Sequence, residues 1–183
     1  MNGPDERFTR RLTGLAARRS GLAFCLWGEP GIGKTHTALA WLRGTPLKSV
    51  SVHAAQTAAA MVHAIPRPKS PSVWLERSVE RVLNGEPLET TALVQTFAGL
   101  LIANAPLILH VEDLHEATPE RLEFWQQLAL AITRTRGVGL IATSRTPPPD
   151  AFEITRLEPF NRAASDALLE AEAGAVLPIE ALS

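Results

Sequence analysis

Hydrophobic positions in this chain fall into two kinds of run, short continuous ones and longer periodic ones. Leu22 to Trp27, Leu107 to Val111 and Val138 to Ala142 are short and almost wholly apolar, the pattern of strands buried on both faces of a parallel sheet. Lys48 to His53 and Phe152 to Leu157 read as two further strands. Between them the apolar residues return at helical spacing. Phe8, Leu12, Leu15 and Ala16 share one side of a segment from Asp5 to Arg19, with Arg7, Arg10, Arg11, Arg18 and Arg19 on its other faces. Ala38, Leu39, Trp41 and Leu42 mark a helix from Thr35 that ends at Gly44 and Pro46. Gln56 to Ile65 is an alanine-rich helix, and Pro66 to Pro71 must be extended because proline excludes helix there. A helix carrying Trp74, Leu75, Val79 and Val82 starts at Ser70-Pro71 or Ser72 and stops at Asn84-Gly85. Leu93, Phe97, Leu100 and Leu101 share a face of a helix ending at Asn104. Thr118-Pro119 caps another, with Leu122, Trp125, Ala129 and Ile132 on one side, and Asn161 caps a last one through Glu172. Strands alternating with helices predict an α/β domain built on a parallel sheet.

Composition narrows this picture only a little. The 183 residues suit one domain; 45% are hydrophobic, 20% are charged, and the formal net charge is −1. A generally basic nucleic-acid binder is not indicated. The single cysteine, Cys25, lies inside the first apolar run, so no intrachain disulfide can form and a reducing, cytoplasmic setting is expected. No apolar run is long enough to span a membrane.

The chemistry begins where the first strand stops. Gly28-Glu29-Pro30-Gly31-Ile32-Gly33-Lys34-Thr35, followed by His36, is a complete Gly-x4-Gly-Lys-Thr phosphate-binding loop between a strand and a helix, the context such a motif requires. Glycines let the backbone pass close to phosphate oxygens, and successive N–H groups point inward at a helix N-terminus. Lys34 is expected to reach the β- and γ-phosphates, and Thr35 to place its hydroxyl on Mg²⁺. A second signal is Glu112-Asp113, two adjacent carboxylates closing a buried strand. Such charge needs a neutralising partner, and Mg²⁺ at the carboxyl end of a parallel strand supplies it. His36 and His53 show no ligand spacing to a partner and read as surface or edge residues.

With these pieces in order, the chain resembles the nucleotide-binding domain of the STAND class of P-loop ATPases, relatives of the AAA type, in the version found in large bacterial LuxR-like and antibiotic-regulator-like transcription activators. Four stretches carry the likeness: GEPGIGKT, LILHVEDLHEAT, IATSR and ITRLEPFNRAASDALL. The resemblance implies that Glu112 holds Mg²⁺ through water, that Asp113 polarises the attacking water, and that Arg145, with Thr143 or Ser144, reads the γ-phosphate. An always-charged fork donor at a strand end beside the loop suits that last role. Glu112 stands where the group more often has Asp, and Gly3-Pro4-Asp5-Glu6 is only a loose echo of its base-binding segment.

The expected architecture is a three-layer α/β/α P-loop domain with a parallel five-stranded sheet. Two strands separate the loop strand from the Thr143-Ser144-Arg145 strand, which suits P-loop enzymes of order 5-1-4-3-2. An N-terminal helix over 1–19, the nucleotide-binding domain over 20–173 and the start of a lid or linker over 174–183 are expected. The resemblance implies an ATP/ADP-binding regulatory switch with slow hydrolysis, Mg²⁺-dependent, joined to downstream domains of a longer chain. Self-association could follow the nucleotide state, and no direct nucleic-acid contact is expected of this segment. The competing reading is a loader or motor ATPase acting on nucleic acid, for which Arg134 and Arg136 would be arginines offered to a neighbouring subunit.

Overall fold

The computed structural model describes residues 6–157. In order, the chain forms helix α1 (Glu6–Ala16), strand β1 (Leu22–Trp27), α2 (Lys34–Arg43), β2 (Lys48–His53), α3 (Ala58–Ala64), α4 (Val73–Leu83), α5 (Thr90–Ala103), β3 (Leu107–Glu112), α6 (Pro119–Thr133), β4 (Val138–Ser144) and β5 (Glu153–Arg156). Three helices start on hydroxyl caps. Thr57 accepts from the N–H of Ala60, Ser72 from Leu75 and Thr118 from Arg121; each such cap contributes about 1 kcal/mol. Ser72 rather than Ser70 therefore begins α4, because Pro71 keeps the residue before it extended.

The five strands form one parallel sheet of order β2-β3-β4-β1-β5. Read from the other edge this is the expected 5-1-4-3-2. Period-two alternation sends the strand residues to two cores. Ala23, Cys25, Leu109, Val111, Leu140 and Ala142 face the side covered by α3, α5 and α6. Leu22, Phe24, Leu26, Ile108 and Ile141 face Phe8, Leu12 and Leu15 of α1 and Ala38 and Leu42 of α2. Phe8 packs between Phe24 and Trp41, with ring centroids 4.8 and 4.6 Å away. α4 lies outside this arrangement, against α3 and α5.

One glycine is dictated by closeness of backbone. A Cβ on Gly21 would stand 1.9 Å from the carbonyl oxygen of Ile132 and 2.4 Å from that of Thr135, so only glycine lets β1 start where α6 ends. β4 runs two residues further than its apolar pattern, to Ser144, because Thr143 and Ser144 are buried beside the end of β1. Leu75, Val79 and Val82 are buried in α4, whereas Trp74 beside them is 50% exposed. A single 3-10 turn, Leu114–Glu116, follows β3 where the sequence showed only a connection. No helix among the described residues is long and apolar enough to cross a membrane. The helix expected over 161–172 and the segment 174–183 lie outside the described residues.

Candidate nucleotide site

Because all strands run parallel, their carboxyl ends gather the phosphate loop, the carboxylate pair and Arg145 on one edge of the sheet. β4 lies between β3 and β1, which puts the ends of the latter two about 10 Å apart, two strand spacings. That gap matches the room a phosphate and its counter-ion need.

The loop leaves β1 at Gly28, whose φ of 155° and crowding by Ile32 and the Leu157 carbonyl admit no side chain. Gly31 and Gly33 take φ of 80° and 83° with open space around them, so there the requirement is purely conformational. Gly33 caps α2 without a side-chain bond, leaving the helix's first N–H groups pointed at the loop's hollow. Gly28 is buried; Glu29, Pro30, Gly31 and His36 are exposed; Ile32, Gly33 and Thr35 are half-buried.

Lys34 is the exception among the chain's lysines: it is 7% exposed. Its Nζ donates to the carbonyl oxygens of Gly28 at 2.9 Å and Glu29 at 2.7 Å, so the ammonium sits inside the loop it belongs to. Burial lowers its pKa, the nearby Arg145 guanidinium lowers it further, and Asp113 and Cys25 pull the other way. Among the described residues no carboxylate lies within 4.0 Å of this ammonium, so a cation held beside a second cation leaves room for the close counter-charge that an anion in the loop would provide. On β1, before the loop, burial raises the Cys25 thiol to about 12.

Asp113 follows β3 in the left-handed region, φ 52° and ψ 54°, at a cost of roughly 1 kcal/mol for a non-glycine residue. Its N–H donates to Thr143 Oγ1 of β4 at 3.2 Å, which fixes the turn. The 3-10 turn then brings His115 back, where its Nδ1 accepts from the Arg145 N–H at 3.3 Å and stands 3.9 Å from Asp113 Oδ1. Thr143 and Arg145 are thus wired to the acidic turn through backbone N–H groups, a link the sequence did not announce. Glu112 lies 3.8 Å from His110 Nδ1, and its carbonyl accepts from Ala54 N–H at 2.9 Å. Trp125 Nε1–H donates to the Ala54 carbonyl at 3.3 Å, tying α6 to the turn after β2.

Two histidines gained neighbours that their sequence spacing hid. His53 ends β2 in register with Glu112. Its Nε2 is 3.8 Å from Asp113 Oδ2 and 3.4 Å from Glu116 Oε2, and these three side chains have the reach to hold a cation. Nδ1 of His53, however, accepts from the Ala55 N–H at 3.3 Å. That leaves the ring proton on Nε2, 3.4 Å from the nearer carboxylate, so His53 faces Asp113 and Glu116 as an electrostatic neighbour and offers a metal no lone pair there. His110 is fully buried, with Nδ1 3.1 Å from Ser51 Oγ and Nε2 without a partner. Burial holds its pKa below the ordinary value, against a smaller pull from Glu112. Strand-end alignment was the signal that could have found His53; His115 lies within the LILHVEDLHEAT stretch that carries the resemblance, but its contact with Arg145 had no signal in the sequence.

No protein-family model and no curated protein sequence matches the chain. Solved structures do. One is a Signal Transduction ATPase with Numerous Domains (STAND) from Pyrococcus horikoshii with a tetratricopeptide repeat sensor: TM-score 0.57, 15% identity, 93% of this chain and 26% of that one. The fold is that of a STAND- or AAA-like P-loop ATPase domain. Drosophila ORC bound to AT-rich DNA is a second match, with TM-score 0.50, 14% identity, 95% of this chain and 63% of that one. The chain thus spans about a quarter of the first and under two thirds of the second.

Proposed function

We propose that the chain is the nucleotide-binding domain of a regulatory ATPase, exchanging ATP and ADP in a Mg²⁺-dependent switch with slow hydrolysis. The observation that carries this reading is Lys34, buried in a left-handed glycine loop with only loop carbonyls for company, within the electrostatic range of both Asp113 and Arg145. In this reading Gly28 to Gly33 wrap the phosphates with backbone N–H groups, and Lys34 turns from its own carbonyls to the phosphate oxygens. The Thr35 hydroxyl and Glu112, the latter through water, would hold Mg²⁺, which supplies charge neutralisation on the phosphates when bound. Asp113, whose backbone Thr143 fixes and whose carboxylate lies beside His53, orients and polarises the water that attacks the γ-phosphate. Arg145, whose backbone His115 anchors, distinguishes ATP from ADP by its fork of donors. A regulator of transcription remains the expected setting, reached through downstream domains of a longer chain.

Single-turnover release of labelled phosphate from MgATP tests the assignment of roles. Asp113→Asn is expected to slow release by about 10²- to 10⁴-fold, as removal of a general base does, while leaving nucleotide affinity within a few-fold. Arg145→Ala is expected to bring ATP and ADP affinities together by roughly 10-fold or more, the worth of a charge-assisted contact. Unchanged release in Asp113→Asn overturns its role.

A further inference from the structure

We propose that the opposite edge of the sheet, where the strands begin, is a binding surface for single-stranded nucleic acid. In a parallel sheet every strand is entered from one side, so the loops leading into β1, β2, β3 and β4 lie together. With the link between α3 and α4, these loops occupy residues 17–21, 44–48, 65–72, 103–107 and 133–138. Among them are Arg18, Arg19, Lys48, Arg67, Lys69, Arg134 and Arg136, and not one Asp or Glu. All seven cations are exposed, and among the described residues none is within 4.0 Å of a carboxylate. A net charge of −1 hides this edge because the carboxylates lie elsewhere, Glu29, Glu112, Asp113 and Glu116 among them at the nucleotide edge.

The loops touch one another. Gly137 N–H donates to the Ser20 carbonyl at 3.0 Å, the Arg18 guanidinium reaches the Ala105 carbonyl, and Asn104 Nδ2 donates to the Pro66 carbonyl at 2.8 Å. The cations therefore form a continuous strip along four strand ends, about 15 Å at ordinary strand spacing. At the β2 end the strip runs into a groove of about 610 Å³ lined by Lys48, Arg67, Lys69 and Asn104. Pro66 and Pro68 stiffen the wall that carries Arg67 and Lys69, so the backbone presenting these two cations has little freedom to lose.

An exposed aromatic lies one helical turn from the groove's α5 wall. Trp74, in the first turn of α4, rests over Gly99, 3.7 Å from where a Cβ would be and one turn before the α5 residues that wall the groove. Half of its surface is open, and Val73 and Ile102 nearby are also exposed. A half-exposed indole one helical turn from a cation-lined groove fits a base stacked on it with the phosphates on the cations; an acidic peptide would use the charges but not the ring. A base that stacks on an indole must be unpaired and free of its own helix, which favours single strands over a duplex.

The test is anisotropy of a labelled oligothymidylate of about 20 nucleotides, titrated with the unmodified chain and with variants whose circular dichroism and melting match it. Binding is expected to weaken with salt between about 50 and 200 mM, with a log–log slope of about −2 to −4 for three to five phosphates neutralised. K48E/R67E/K69E is expected to lower affinity at least about 100-fold and flatten the slope. Trp74→Ala is expected to lower it about 5- to 150-fold at unchanged slope, the signature of lost stacking. R134E/R136E probes the other half of the strip independently and is expected to weaken binding as well. No binding at about 50 mM salt, equal binding by the charge-reversed variants, equal competition by polyglutamate, or tighter binding of duplex each overturns the proposal.

Discussion

At the scale of single residues, the site rests on groups held in states they would not choose alone. Asp113 keeps a left-handed backbone because Thr143 accepts its N–H. Asparagine tolerates that conformation almost as well, so Asp113→Asn is expected to leave the denaturant midpoint within the equivalent of about 0.5 kcal/mol even as it slows turnover. A large loss of stability in that variant would mean that the carboxylate, not the backbone, holds the turn. His110 is neutral by burial, its pKa lying below the ordinary 6.5. As pH falls, the unfolded chain therefore takes up this proton before the folded one does. The stability it contributes is complete above about 6.5 and is lost as pH drops toward the folded value. Urea unfolding at pH values on either side of 6.5 should show the wild type weakening at the acid side, and His110→Leu should show less of that weakening. An identical pH dependence in both would remove His110 from the account.

At the scale of elements, most of the fold could be read before any coordinates, because the code for it is local. The bounds of β1 and β2 are those the sequence predicts, and α6 begins at the Thr118-Pro119 cap. What could not be read depends on distant partners. The extension of β4 through Thr143 and Ser144 needs β1 beside it, the 3-10 turn needs His115 to find Arg145, and His53 meets Asp113 only because β2 and β3 are in register. Of the candidate site, the phosphate loop and the acidic pair are contiguous and were legible; His53 meets Asp113, and His115 meets Arg145, only in space. The join between β1 and α6 gives an element-scale test. Gly21→Ala forces a methyl against the Ile132 carbonyl, and it is expected to cost about 2–3 kcal/mol by chemical denaturation; a loss below 0.5 kcal/mol, roughly the surface-substitution range, would contradict that packing.

At the scale of the whole molecule, the parallel sheet separates two chemistries. Its carboxyl edge carries the glycine loop, the carboxylates and Arg145; its amino edge carries cations without carboxylates. The likeness to STAND and ORC structures establishes the fold at 15% and 14% identity, and the nucleotide reading rests on the loop's own geometry. Calorimetric titration of MgATP and MgADP into the unmodified chain and into Lys34→Ala addresses that reading most directly. Binding by the unmodified chain that weakens about 10- to 150-fold in Lys34→Ala, the worth of one charged contact, is the result predicted here. Equal affinity in the two proteins, or no binding of either nucleotide to the unmodified chain, would contradict it.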